Sequence, residues 1–194
     1  INSSDWETPL AATADGHTVY FISDRKGGSG GRDIWRSKNL PDGKWGEAYN
    51  MGATLNTQYE EDAVFISPDE NTLYFSSQGH NSIGGFDVFS TKKDAEGNWG
   101  TPKNIGYPIN TTDDDVFFVT SADGKRAYFS SFRKGGYGEK DIYLLDLPEP
   151  QEVRLALLKG VIIPASGEKL PKDISVAVTN KQTMETSFYT PRER

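Results

Sequence analysis

The sequence predicts an all-β protein: a β-propeller of four-stranded blades, with part of a β-sandwich after it. Three observations predict this. The first is a strict period, since Asp15, Asp69 and Asp123 stand 54 residues apart (69−15 and 123−69). The same step relates Asn2, Asn56 and Asn110, then Tyr20, Tyr74 and Tyr128, Phe21, Phe75 and Phe129, Asp33, Asp87 and Asp141, and the pair Trp45 and Trp99. A fixed period of this size makes each repeat one supersecondary unit that buries its apolar faces against its neighbours. The second is the reading of each repeat as four short strands, the blade of a propeller. The third is the set of Asp-Gly turns, Asp15-Gly16, Asp42-Gly43 and Asp123-Gly124, because tight hairpins need a positive φ that glycine adopts without steric cost.

The central repeat, 55–108, shows the elements in order. Ala63 to Ser67 is short, apolar and bounded by acidic residues and a Pro-Asp turn, so it reads as a buried strand. Thr72 to Ser77 suits a pleated surface, with Leu73 and Phe75 on one face and Tyr74 and Ser76 on the other. A Gly-rich loop, Gln78 to Gly85, leads to a third strand, Phe86 to Thr91. A fourth runs from Trp99 to Ile105 and carries Pro102, which an outer edge strand tolerates because it can spare a ladder N–H. Copies 1–54 and 109–148 follow the same plan, except that the third lacks the Trp strand. Leu147-Pro148-Glu149-Pro150 stands there and gives a linker over 149–152. Three blades are fewer than the about four to eight of closed propellers, so one or more blades are expected to precede Ile1.

From 153 to 194 the period is lost. Val153, Leu155 and Leu157 alternate, as do Ile174, Val176 and Val178, with turns at Ala165-Ser166-Gly167 and Leu170-Pro171-Lys172. This is the start of a second β domain, too short for a sandwich of about seven strands.

Composition limits the function. A net charge of −7 argues against a nucleic-acid surface, which needs a basic stripe. No apolar run approaches the about 18 residues that span a bilayer, so no direct membrane insertion is expected. With no cysteine there is no disulfide framework and no thiolate chemistry.

The segments TADGHTVYFISDRKGGSGGRDIW, SPDENTLYFSSQGHNSIGGFDVF and SADGKRAYFSSFRKGGYGEKDIY resemble the TolB-type, WD40-like (PD40) propeller repeat. With NWGTPKNIGYPIN and KWGEAYNMGATLN added, the chain resembles OmpA-family envelope proteins of Bacteroidota, such as the PorE-type components of the type IX secretion system. LLKGVIIPASGEKLPKDISVAVTN is similar to the opening of a carboxypeptidase-regulatory-like, transthyretin-like sandwich. The resemblance implies a non-enzymatic scaffold in the periplasm at the outer membrane. Its partners would be other envelope proteins, with peptidoglycan reached only through a domain outside this segment. Copy two departs from the repeat pattern at Glu70-Asn71, and copy three has Glu139 where Gly31 and Gly85 stand.

Site chemistry is sparse, and no catalytic residue or cofactor is expected. Gly27-Gly28-Ser29-Gly30-Gly31 matches a G-x-S-x-G elbow in letters, but that motif needs a helix after the serine and a strand is expected here. Glu60, Glu61 and Asp62, then Asp113, Asp114 and Asp115, with Asp5 and Glu7, recur just before the inner strand. They are weak candidates for a Ca²⁺ ring, since Ca²⁺ takes about six to eight oxygen ligands, and their spacing matches no cation loop. Blade topology puts these turns on one face with the Gly-rich loops, where Arg25, Lys26, Asn81, Arg133, Lys134 and Tyr137 are candidates for a protein-docking rim. His17 and His80 fall at unrelated positions, and Trp45 and Trp99 read as blade packing. The alternative function is an accessory propeller of a periplasmic or secreted hydrolase, a peptidase or glycan-processing enzyme.

Overall fold

The computed structural model describes residues 1–147, 162–163, 174–179 and 186–190. The chain divides into two compact units, Ile1–Val153 and Arg154–Arg194.

The first unit holds three consecutive antiparallel meanders. Blade one consists of β1 (Glu7–Ala12), β2 (Thr18–Ser23), β3 (Asp33–Lys38) and β4 (Tyr49–Asn50), hydrogen-bonded in that order. Blade two repeats it with β5 (Glu61–Ile66), β6 (Thr72–Ser77), β7 (Asp87–Lys92) and β8 (Lys103–Asn104). Blade three has β9 (Asp115–Thr120), β10 (Arg126–Ser131) and β11 (Asp141–Asp146), and no fourth strand is seen among the described residues.

The hairpin turns explain the Thr/Ser-x-Asp motif. Thr13 Oγ1 donates to Asp15 Oδ1 at 2.7 Å and accepts from Thr18 N at 3.0 Å, while His17 N donates to Asp15 Oδ1 at 2.9 Å. Ser67 with Asp69 and Ser121 with Asp123 repeat the arrangement. The residue after each aspartate is left-handed: Gly16 at φ 68°, Gly124 at φ 67°, and Glu70 at φ 60°.

Two predicted elements differ from those observed. The inner strand of blade two begins at Glu61, two residues before the expected start, because Glu61 N is paired across the blade junction with Arg32 O at 2.8 Å. Its ladder is then broken by a bulge between Asp62 and Val64, where Ala63 has φ 43°. Phe117, one repeat later, has φ 59° at the corresponding break in blade three. The outer strand, expected over 99–105, shrinks to Lys103–Asn104 and an isolated bridge between Lys93 and Trp99. Pro102 has no N–H for the ladder, and Gly100 N instead donates to Lys92 O at 2.9 Å.

The blades pack face to face. Tyr20, Ile22 and Ile34 of blade one share a core with Leu55, Val64, Ile66, Leu73, Phe75 and Phe89 of blade two. Val88 joins Ile109, Phe118, Ala127 and Phe129 at the next junction. Side chains on both faces of β6 are therefore buried or nearly so, and the two faces expected from alternation are both core. Strands β1, β10 and β11 keep an alternating pattern of covered and uncovered residues.

In the second unit, β12 (Val176–Thr179) pairs antiparallel with β13 (Thr186–Tyr189). The alternation at Val176 and Val178 falls on β12. The alternation at 153–157, the two turns at 165–172 and the linker at 149–152 lie outside the described residues.

Candidate functional site

The face carrying the strand-entry turns and the Gly-rich loops is shaped by polar side chains that recur at the repeat step. Asp33, fully buried, accepts hydrogen bonds from Ser29 N and from Gly30 N (3.1 Å), and from Asn50 Nδ2 at 2.8 Å. Asp87 holds its loop through Ile83 N and is reached by Asn104 Nδ2 at 2.8 Å, and Asp141 accepts from Tyr137 N at 2.8 Å. Each Gly-rich loop is thus pinned by the first residue of the strand that follows it.

A second set joins neighbouring blades. Asn56, at the entry to blade two, accepts from Ile34 N at 2.8 Å and donates to Ile34 O at 3.0 Å and to Asn50 Oδ1 at 2.9 Å. Asn110 does the same to Val88 N, Val88 O and Asn104 Oδ1, each at 2.7 to 2.8 Å. Both asparagines are buried, and each closes the third strand of the blade before it. Sequence reasoning gave Asn56 and Asn110 no role beyond the period, although their strict recurrence was the available signal.

The acidic turn residues do not form a ring. Glu60 and Asp62 both pair with Arg32, at 2.7 and 3.1 Å, and Asp114 pairs with Lys140 at 3.0 Å. Burial works to raise the Asp114 pKa, but the hydrogen bond from Phe86 N and the Lys140 ammonium prevail and hold it below the usual carboxylate range. Glu61 is fully buried and accepts from Thr57 N, Thr57 Oγ1 and Ser77 Oγ. Burial pushes its pKa up to about 7 despite those donors. Asp115 is buried in the same way beneath Thr111, and Asp113 is exposed. Glu7 accepts from Ser3 and pairs with Arg25 at 2.9 Å. Among the described residues no three His, Asp or Glu side chains could hold a metal ion together.

The rim candidates separate into two groups. Arg25 and Arg133 point inward as braces: Arg25 Nη2 donates to Ile1 O at 2.7 Å and lies over Phe21 and Trp35, 4.9 and 5.4 Å from the ring centroids. Arg133 Nη2 donates to Ile109 O at 2.9 Å over Phe129 and Tyr143. Blade two has Gly79 at that position, and the next residue takes the part. His80 Nε2 lies 3.0 Å from Leu55 O, which accepts, and its ring packs on Phe75 and Phe89. Lys26, Asn81, Lys134 and Tyr137 are exposed, Tyr137 fully, and Ile83 joins them at 57%.

Ser29 precedes strand β3, its N–H is bound to Asp33, and no helix follows, so the elbow geometry is absent. Trp99 packs edge-on against Tyr20 at 6.1 Å, and Trp45 packs against Val19, Phe21 and Trp35. His17 sits in the first hairpin turn.

Meanders packed face to face, with entry turns and inter-strand loops gathered at one end, define a run of β-propeller blades. Comparison with known proteins agrees on the fold. No family model matches the chain, and no curated protein matches it. A TolB-assigned protein from Agrobacterium tumefaciens is similar in structure at a TM-score of 0.51 and 16% identity, over 75% of this chain and 47% of that one. TolB from Acinetobacter baumannii (TM-score 0.49, 16% identity, 71% of this chain and 29% of that one) and the tricorn protease (0.38, 13%, 73% and 14%) are more distant. The chain spans less than half the length of each. No helix among the described residues is long and apolar enough to cross a membrane.

Proposed function

We propose that the chain is a non-enzymatic, protein-binding scaffold of the bacterial cell envelope, and that its loop face is the docking surface. The observation that carries this reading is the division of labour on that face. The buried aspartates and asparagines immobilise the loops from behind, which leaves Lys26, Asn81, Ile83, Lys134 and Tyr137 projecting from a rigid support. Loops already ordered in the free protein lose little further backbone entropy on binding, which favours protein recognition. On this reading, which the resemblance of the repeats to envelope proteins supports, the scaffold works in the periplasm, associated with the outer membrane, in a peptidoglycan-anchored assembly such as the type IX secretion system. On this reading 153–194 opens a carboxypeptidase-regulatory-like sandwich, and peptidoglycan is held by a domain outside the segment.

The test is photo-crosslinking in cells. A photoreactive residue replaces Tyr137 or Ile83 in the full protein, with Asp94 as control, because the turn at Asp94 lies at the opposite end of its blade. Discrete adducts with envelope proteins at 137 and 83, absent at 94, are expected in the peptidoglycan-associated fraction. Adducts with cytosolic proteins only, or none at either loop position, would refute the proposal.

A further inference from the structure

Blade three departs from the repeat at two positions that line one cleft on the loop face. The place of Asp24 in blade one and Gln78 in blade two, both polar and exposed, is taken in blade three by Phe132, which is 46% exposed. The place of Gly31 and Gly85 is taken by Glu139, also exposed. Phe132 and Glu139 line an open cleft of about 470 Å³ together with Thr112, Asp113, Asp114 and Lys140.

The exposure of these places belongs to the repeat itself. Asp24 and Gln78 are uncovered although another blade follows each of them, and Tyr59, the counterpart of Asp113, is 52% exposed between two blades. A blade stacked beyond the third therefore leaves Phe132 and Asp113 open to a partner.

A lone exposed phenylalanine is ordinary, but this one shares its cleft with carboxylates that lack counter-ions. Lys140 is engaged by Asp114 at 3.0 Å, and among the described residues the side chains of Asp113 and Glu139 make no ion pair or hydrogen bond. One repeat earlier the same places hold a single carboxylate, Glu60, and Arg32 pairs with it at 2.7 Å. Lys134, two residues from Phe132, does not line the cleft. An aromatic ring beside two uncompensated carboxylates suits a cation, which the ring quadrupole and the carboxylates both attract. A guanidinium or ammonium group on an apolar stem matches the whole lining, with its stem against the ring.

Given the docking role of the loop face, on which this rests, we propose that the cleft receives an arginine or lysine side chain from a basic segment of the protein partner. The net charge of −7 favours the approach of such a segment. Blades one and two then hold the scaffold rigid, and blade three carries the specificity.

The test places benzoylphenylalanine at 132 of the full protein in cells, which keeps an aromatic ring in the cleft. The expected adduct is linked at or directly beside an arginine or lysine of the partner, and reversing the charge of that residue should abolish it. Asp113→Asn combined with Glu139→Gln should lower the adduct yield at least about fivefold. Glu47→Gln combined with Glu96→Gln removes the same charge from exposed positions outside the cleft and should change the yield by less than about twofold. In the purified full protein, a labelled hexa-arginine peptide should bind about threefold more weakly after Phe132→Gln, which restores the residue of blade two. Adducts at 137 and 83 with none at 132, linkage sites remote from any basic residue, or equal losses from the two charge-removing pairs would overturn the cleft while leaving the docking face standing. No adduct at any of the three positions would overturn both.

Discussion

Buried polar side chains set the character of this molecule at the residue scale. A propeller blade has little room for a large core, and the positions between strands are filled by Asp33, Asp87, Asn56, Asn110, Glu61 and Asp115, all 2% exposed or less. Such groups are costly unless hydrogen-bonded, and each has at least one donor from a loop or a neighbouring blade, although Asp87 Oδ1 and Asp115 Oδ1 are buried without a partner among the described residues. Glu61 gives this a pH dependence. Its folded pKa, about 7, lies above the usual 4.5, so between these values the native state holds a proton that the unfolded chain has released. Stability should therefore fall as pH rises from about 4.5 to about 7, by roughly 3 kcal/mol in all. Denaturant titrations at several pH values should show this decline in the wild type and a flatter profile in Glu61→Gln. A stability that rises through the same window would contradict the assignment.

At the scale of the element, the hairpin turn between the first two strands of each blade requires a left-handed residue, and blade two fills it with glutamate. Gly16 and Gly124 adopt φ 68° and 67° freely, but Glu70 at φ 60° brings a Cβ into conflict with its own backbone. Glu70→Gly should raise stability by about 1 kcal/mol, read as a higher denaturant midpoint with an unchanged slope. A loss of stability would mean that the Glu70 side chain contributes more than its backbone costs. The inner-strand bulges at Ala63 and Phe117 belong to the same scale. They recur at one position in the blade, a mark of a built-in bend rather than a local accident.

Across the whole molecule, what matters is how one blade meets the next. The glycines at 30, 84 and 138 look identical in sequence, yet only the first two are compressed by a following entry turn. Gly84→Ala should destabilise the protein by more than about 2 kcal/mol, since the added Cβ meets backbone rather than a side chain able to move. Gly138→Ala should change stability by less than about 0.5 kcal/mol, since nothing lies within 4 Å of its Cβ position. Equal effects of the two substitutions, measured by equilibrium unfolding, would show that the glycines serve their own loops and not the junction.

The repeat, the four-strand plan and the turns were legible in the sequence because each rests on local chemistry: period, alternation, and residues that adopt positive φ. The gathering of acidic turns and Gly-rich loops on one face followed from meander topology alone. Their electrostatic meaning did not, because a carboxylate in a turn reads the same whether it is solvated, ion-paired or buried. Only packing distinguished Glu60, held by Arg32, from Glu61, sealed beneath Thr57 and Ser77, one residue away. The same limit applied to Arg25 and Arg133, which look like rim cations in sequence and prove to be braces folded onto aromatic rings. His80 could not be recognised as their stand-in, because it sits one position out of register and reaches Leu55 O through a left-handed backbone. The sequence by itself determined the period, the blade and the turn positions, which depend on residues near one another in the chain. The tertiary structure alone decided which polar groups join blades and which face solvent, because partners such as Asn56 and Ile34 lie 22 residues apart and meet only once the blades have stacked.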